Sequence, residues 1–158
     1  MKRGSTLFLK MAVILMGIPV LAIGVYGLLF LANNPVNPTY AYILYPIIIG
    51  IYVTIIPFYF GLYQAFKLLT YIDKNEAFSE LSVHALKKIK YCAVAISAVY
   101  VAVLPFVYIV AELDDAPGLI FMGMIPILAS MVIAVFAAVL EKLVINAIDI
   151  KSENELTV

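Results

Sequence analysis

The sequence predicts an all-α fold, a four-transmembrane-helix bundle with both termini cytoplasmic. Three observations predict it. Of 158 residues, 65% are hydrophobic and 13% charged, with a mean hydropathy of +1.09; a soluble domain carries about 25% charged residues. The apolar residues gather in four stretches, at about 11–32, 42–66, 91–111 and 119–140, that contain no Asp, Glu, Lys, Arg or His. Each can cross a ~30 Å hydrocarbon core, which takes about 20 helical residues. All ten basic residues then fall on one side of the four spans. The composition excludes a disordered chain, a nucleic-acid binder and a disulfide scaffold. A membrane barrel is excluded because period-2 alternation is missing. One cysteine allows no intrachain disulfide.

The first span follows Lys2, Arg3 and Lys10. Its basic start and Ala22-Ile23-Gly24 resemble a signal peptide. The apolar run continues through Leu31, beyond the usual 7–15 residue h-region, so it reads as a membrane helix. Asn33-Asn34-Pro35-Val36-Asn37-Pro38 is a turn-rich loop. The second span carries Pro46 and Pro57, and its helix is expected to run on to about Ile72. Residues 67–90 read as a cytoplasmic helical hairpin whose turn is Asp73 to Ala77. Ser79 is placed as an N-cap, with Phe78 and Val83 as a hydrophobic staple. From Glu80 a stalk of about 16 Å precedes lipid, with Leu81, Ala85 and Ile89 on one side and Lys87, Lys88 and Lys90 near the surface. The third span ends in the acidic loop Glu112 to Gly118. The fourth carries Pro126 and extends through Ile145, Ala147 and Ile148 to pack on the stalk. Residues 149–158 form a polar tail.

Orientation follows from charge. The central loop and both termini hold ten basic and seven acidic residues, a net +3, and the other two loops hold three acids, a net −3. Short loops rich in Lys and Arg stay cytoplasmic.

In lipid, helices associate through small residues that permit close approach. The helix-packing candidates are Ser130, Ala134 and Ala138 on span four and Ala98 with Ala102 on span three, besides Ala93 with Ser97 and Gly50 with Thr54. Tyr45, Tyr52 and Tyr59 recur every seven residues, with Tyr63 one turn on. A packing face is the simpler reading; a ligand-lining stripe is the alternative. A continuous polar groove from Tyr52, Tyr59, Tyr63, Gln64 and Ser97 would favour transport.

The spans lack the ionisable residues that mark proton or ion pathways. Glu141 is read as an interfacial residue beside Lys142, His84 as solvated, and Cys92 as a small packing group. Glu112, Asp114 and Asp115 read as a solvated acidic loop. No catalytic, metal or cofactor-binding set is visible, so the chain is expected to be no enzyme and to use no cofactor.

The expected partner-docking residues are Phe78, Ser79, Leu81, Lys87, Lys88, Ile89, Glu153, Glu155 and Leu156. In this reading the carboxylates of Glu153 and Glu155 meet Lys87, Lys88 or Lys90. Leu156 meets the Leu81/Ile89 face, in a weak dock that exchanges for a cytoplasmic protein.

The loop Tyr71-Ile72-Asp73-Lys74-Asn75-Glu76-Ala77-Phe78-Ser79, the following Leu86-Lys87-Lys88-Ile89 and the tail Ser152-Glu153-Asn154-Glu155-Leu156-Thr157-Val158 resemble the signatures of a known family. It is the YoaS-like bacterial domain-of-unknown-function family of four-helix integral membrane proteins. Residues 1–10 resemble its members too, and Glu155 stands where the family often has Asp. The resemblance implies a bacterial plasma-membrane protein without known activity. Its members are often encoded beside a small helix-turn-helix regulator, which is thereby an expected partner. The expected role is that of a sensor, accessory or immunity-type protein working with a cytoplasmic partner. The alternative is a small transporter or channel subunit acting as a homo-oligomer. The lipid bilayer is the other partner, and no direct nucleic-acid contact is expected.

Overall fold

The computed structural model describes residues 3–35 and 37–157. Met1, Lys2, Val36 and Val158 lie outside the described residues, and with them one basic residue and the last apolar side chain of the tail. Four helices make up the fold: α1 (Arg3–Asn33), α2 (Ala41–Asp73), α3 (Glu80–Leu113) and α4 (Gly118–Thr157). No strand occurs among the described residues. All four helices are long and apolar enough to cross a membrane. Pro19, Pro46, Pro57, Pro105 and Pro126 lie inside them without ending them.

The helices stop where the backbone finds another use for its last carbonyls. After α2, Asn75 takes a φ of 61°, a left-handed conformation that Asn tolerates. The amide of Glu76 then donates to Tyr71 O (2.7 Å) and that of Asn75 to Ile72 O (3.2 Å), the paired bonds of a Schellman motif. The same motif closes α3. Asp115 has φ 51°, Ala116 N–H donates to Ala111 O (2.8 Å) and Asp115 N–H to Glu112 O (3.3 Å).

Ser79 stands at the N-cap of α3 with extended backbone, but its hydroxyl makes no capping bond. It donates instead to Glu76 O (2.6 Å), which also accepts from the Ser82 hydroxyl (3.0 Å). Phe78 is 62% exposed while Val83 is buried, so the expected staple does not close.

Each helix packs on its neighbour in sequence: α1 on α2, α2 on α3, α3 on α4. Among the described residues α1 and α4 do not meet, so the four helices form an open array rather than a closed ring. At the end of the array that holds the basic residues, Val83, Leu86 and Val144 form a small core, with Leu68 and Ile148 packed on it. Thus α2, α3 and α4 all continue past their apolar spans and remain packed there.

The buried line of α3 runs through Ser82, Val83, Ala85, Leu86, Ala93, Ser97 and Val103. Leu81 is exposed and Ile89 half-buried, because four-residue steps overshoot a 3.6-residue turn and drift around the helix. Ala98 and Ala102 are likewise exposed. They lie about 100° and 140° around from Ser97, on the exposed side of the helix. On α4, Ser130 is buried and Ala134 and Ala138 are half-buried.

Candidate functional site

The seven-residue tyrosine repeat of α2 is matched by glycines on α1. Tyr59 donates its hydroxyl to Gly17 O (2.6 Å), and Tyr52 donates to Gly24 O (2.8 Å). Both pairs are equidistant from Pro38 along the chain, as an antiparallel hairpin requires. Gly27 completes the seat, because a Cβ there would fall 2.6 Å from the Tyr52 hydroxyl. The phenols are therefore spent on the α1 backbone. Tyr63 is exposed, with Lys67 Nζ 5.3 Å from its ring centre. Gln64 and Ser97 are buried. Of these five residues only Tyr52 lines the cavity described below, and no continuous polar groove joins them.

The cavity has a volume of about 710 Å³ and takes its wall from all four helices. Val20 of α1, Ile55 and Leu62 of α2, Ile96 of α3, and Ala129 and Ile133 of α4 are representative. None of the lining residues is charged. The polar groups on the wall are turned to each other or to backbone. Thr54 donates to Ile51 O (2.6 Å) and its hydroxyl lies 3.0 Å from that of Tyr100. Ser130 donates to Pro126 O (2.7 Å). Since α1 and α4 both line the cavity yet do not touch, it opens sideways between them, toward the lipid-facing side of the array.

At the basic end the helices are tied by charge. Lys10 of α1 meets Asp73 of α2 at 2.8 Å, and the buried Thr6 hydroxyl donates to the same carboxylate. The Lys10 ammonium also sits 5.3 Å from the Phe66 ring centre, a cation–π arrangement. Lys90 of α3 meets Glu141 of α4 at 3.0 Å, with the Glu141 side chain only 13% exposed. Glu141 thus turns inward to Lys90 rather than sitting in the interface beside Lys142. The pair was legible in the sequence, since both residues are equidistant from the centre of the Asp114–Pro117 loop. Ser97 Oγ is the one buried side-chain polar atom without a partner among the described residues.

The expected docking residues do not come together. Leu81, Lys87 and Lys88 are exposed on α3, and Phe78 is exposed in the turn before it. Ser79 is engaged with Glu76, and Ile89 lines the cavity. Glu153, Glu155 and Leu156 ride on α4, which stays helical to Thr157 instead of folding back as a tail. Leu156 lies 15 residues beyond Glu141, about 22 Å along the axis, and is 85% exposed. α4 stays packed on the stalk through Val144 and Ile148, and Leu156 rides eight residues, about 12 Å, further along the axis and away from Ile89. What α4 offers is an arm, not a dock.

Among the described residues no group of three His, Cys, Asp or Glu side chains is placed to hold a metal ion. Compared with known proteins, residues 28–158 match the family described as a protein of unknown function (DUF2975). Over its full length the chain is 62% identical to the uncharacterized membrane protein YoaS of Bacillus subtilis (strain 168), with 100% of both chains covered. No solved structure matches it.

Proposed function

The chain belongs to the DUF2975 family of membrane proteins of unknown function, and from that premise we propose that it is a non-enzymatic sensor or accessory protein. It relays the state of the bilayer interior to a cytoplasmic partner. One observation carries this reading: α4 is a single helix of 40 residues, about 60 Å long. Its residues 126–133 contribute to the cavity wall, and it continues without a break to Thr157. A shift of α4 against α3 at the cavity is therefore carried by a stiff rod to its exposed end, roughly 36 Å further on. The Val83/Leu86/Val144 core and the Lys90–Glu141 pair are the bearing on which that rod turns.

The positive-inside asymmetry supports a cytoplasmic position for the arm. Its exposed Leu156, which follows Glu153 and Glu155, suits an amphipathic contact. The partner fitting the family resemblance is a small helix-turn-helix regulator of the kind often encoded beside family members, and in this reading the membrane protein itself contacts no nucleic acid. The test is capture of that purified regulator by the detergent-solubilised protein. Deleting Glu153–Val158 is expected to abolish capture while leaving membrane insertion and thermal stability unchanged. Undiminished capture by the truncated chain would refute the arm's role.

A further inference from the structure

We propose that the cavity between α1 and α4 is a binding site for a single hydrocarbon chain of a membrane phospholipid, entering sideways from the bilayer. This goes beyond the partner reading, because occupancy of the cavity needs no cytoplasmic protein.

Three features of the cavity select this occupant. The first is its shape. Along α2 the wall runs from Ile48 to Ala65, a rise of about 26 Å. Spreading about 710 Å³ over that length leaves a path roughly 6 Å wide for the centres of water-sized atoms, which is roughly 9 Å from wall to wall. A helix with its side chains is about 10–12 Å across, so neither a partner's membrane helix nor α1 of a second copy fits inside. An extended alkyl chain does. The volume is also typical of sites for small ligands, about 300–1,000 Å³.

The second is its chemistry. No lining residue is charged, and a bare charge in such a wall is strongly disfavoured. The hydroxyls of Tyr52, Thr54 and Ser130 already have partners. The occupant needs no polar group along the buried length, so a headgroup stays outside at the interface. The third is its access. The opening lies between the two helices that do not touch, so a chain enters from the lipid phase without crossing water. The length of the channel is close to the ~30 Å hydrocarbon core, which aligns the chain with its neighbours in the bilayer.

The probe is a phosphatidylglycerol carrying a mid-chain diazirine. It is incorporated in vesicles of phosphatidylethanolamine and phosphatidylglycerol with the full-length protein, and adducts are mapped after photolysis. Adducts are expected to concentrate on wall residues such as Ile96, Tyr100 and Ile133, and to saturate at one per chain. Ala129→Phe, at an exposed wall position of α4, fills the channel and is expected to lower wall labelling about tenfold. Val132→Phe, on the same helix but off the wall, leaves it unchanged and controls for folding. Adducts spread evenly over all exposed apolar residues would overturn the proposal by showing annular lipid alone. Wall labelling that survives Ala129→Phe would overturn it too, as would wall labelling lost on dimer formation, which would assign the cavity to a second copy.

Discussion

At Gly50 the Val99 and Val103 side chains of α3 pack directly on the α2 backbone. A Cβ built there would lie 2.4 Å from Val103 Cγ2 and 3.7 Å from Val99 Cγ1. Carbon atoms pack at about 3.5–4.0 Å, so Gly50→Ala forces a displacement of about 1 Å or more. Val103 cannot absorb it by turning, because a β-branched side chain in a helix has one strongly preferred χ1 and this one is buried. The helices must part instead. Overpacking of this kind costs about 1–3 kcal/mol, and the shift needed here puts it near 3. Better helix propensity returns about 1 kcal/mol. The net expectation is a loss of about 2 kcal/mol. Unfolding in mixed micelles, followed by circular dichroism as the SDS fraction rises, measures it. Val103→Ala removes the colliding methyl groups, and in that background Gly50→Ala is expected to be close to neutral, a coupling of about 2 kcal/mol. If Gly50→Ala is neutral in both backgrounds, α2 and α3 do not cross at Gly50 and the reasoning fails.

Three further outcomes follow from the same geometry. Tyr59→Phe removes the bond to Gly17 O and is expected to cost about 0.5–1.5 kcal/mol, typical of a hydrogen bond between membrane helices, in the same unfolding assay. Lys90→Glu or Glu141→Lys alone places like charges in a half-buried site and should each cost about 1–3 kcal/mol, while the double exchange restores most of the loss. Single cysteines at Asn34 and Asp114 in a Cys92→Ser background should react with an impermeant maleimide added outside intact cells, and those at Asn75 and Asn154 should not; labelling of Asn75 would reverse the orientation.

The membrane spans were legible because hydropathy and charge exclusion act over whole turns. The stretches 11–32, 42–66, 91–111 and 119–140 all fall within α1 to α4. The α2 stop was legible too, since Asn75 suits the left-handed cap. The end of α4 was not. Residues 149–157 are polar and look like a tail by hydropathy, yet Glu, Lys and Leu are good helix formers and no breaker follows Pro126. Small-residue spacing picked Ser130, Ala134 and Ala138, which are buried or half-buried, but also Ala98 and Ala102, which are exposed. Spacing says which residues share a face, not which face meets a neighbour. The cavity had no sequence signal, because it arises from the missing contact between α1 and α4. The Tyr–Gly and Lys90–Glu141 pairs did have one, in their symmetry about the hairpin loops.

The account rests on the gap between α1 and α4, and disulfide trapping across it is the most direct measurement. In Cys92→Ser protein reconstituted in vesicles, Val20→Cys with Ile133→Cys places thiols on the two walls at the depth matched through the Gly24–Tyr52, Thr54–Tyr100 and Lys90–Glu141 pairs. Val107→Cys with Gly123→Cys serves as the reference, because a Cβ at Gly123 lies 3.9 Å from that of Val107, within disulfide range. Under copper phenanthroline oxidation the reference pair is expected to close readily and the pair across the cavity to stay reduced. Equally fast closure of both pairs would place α1 against α4 and contradict the open array, the lipid-chain site and the lever built on it.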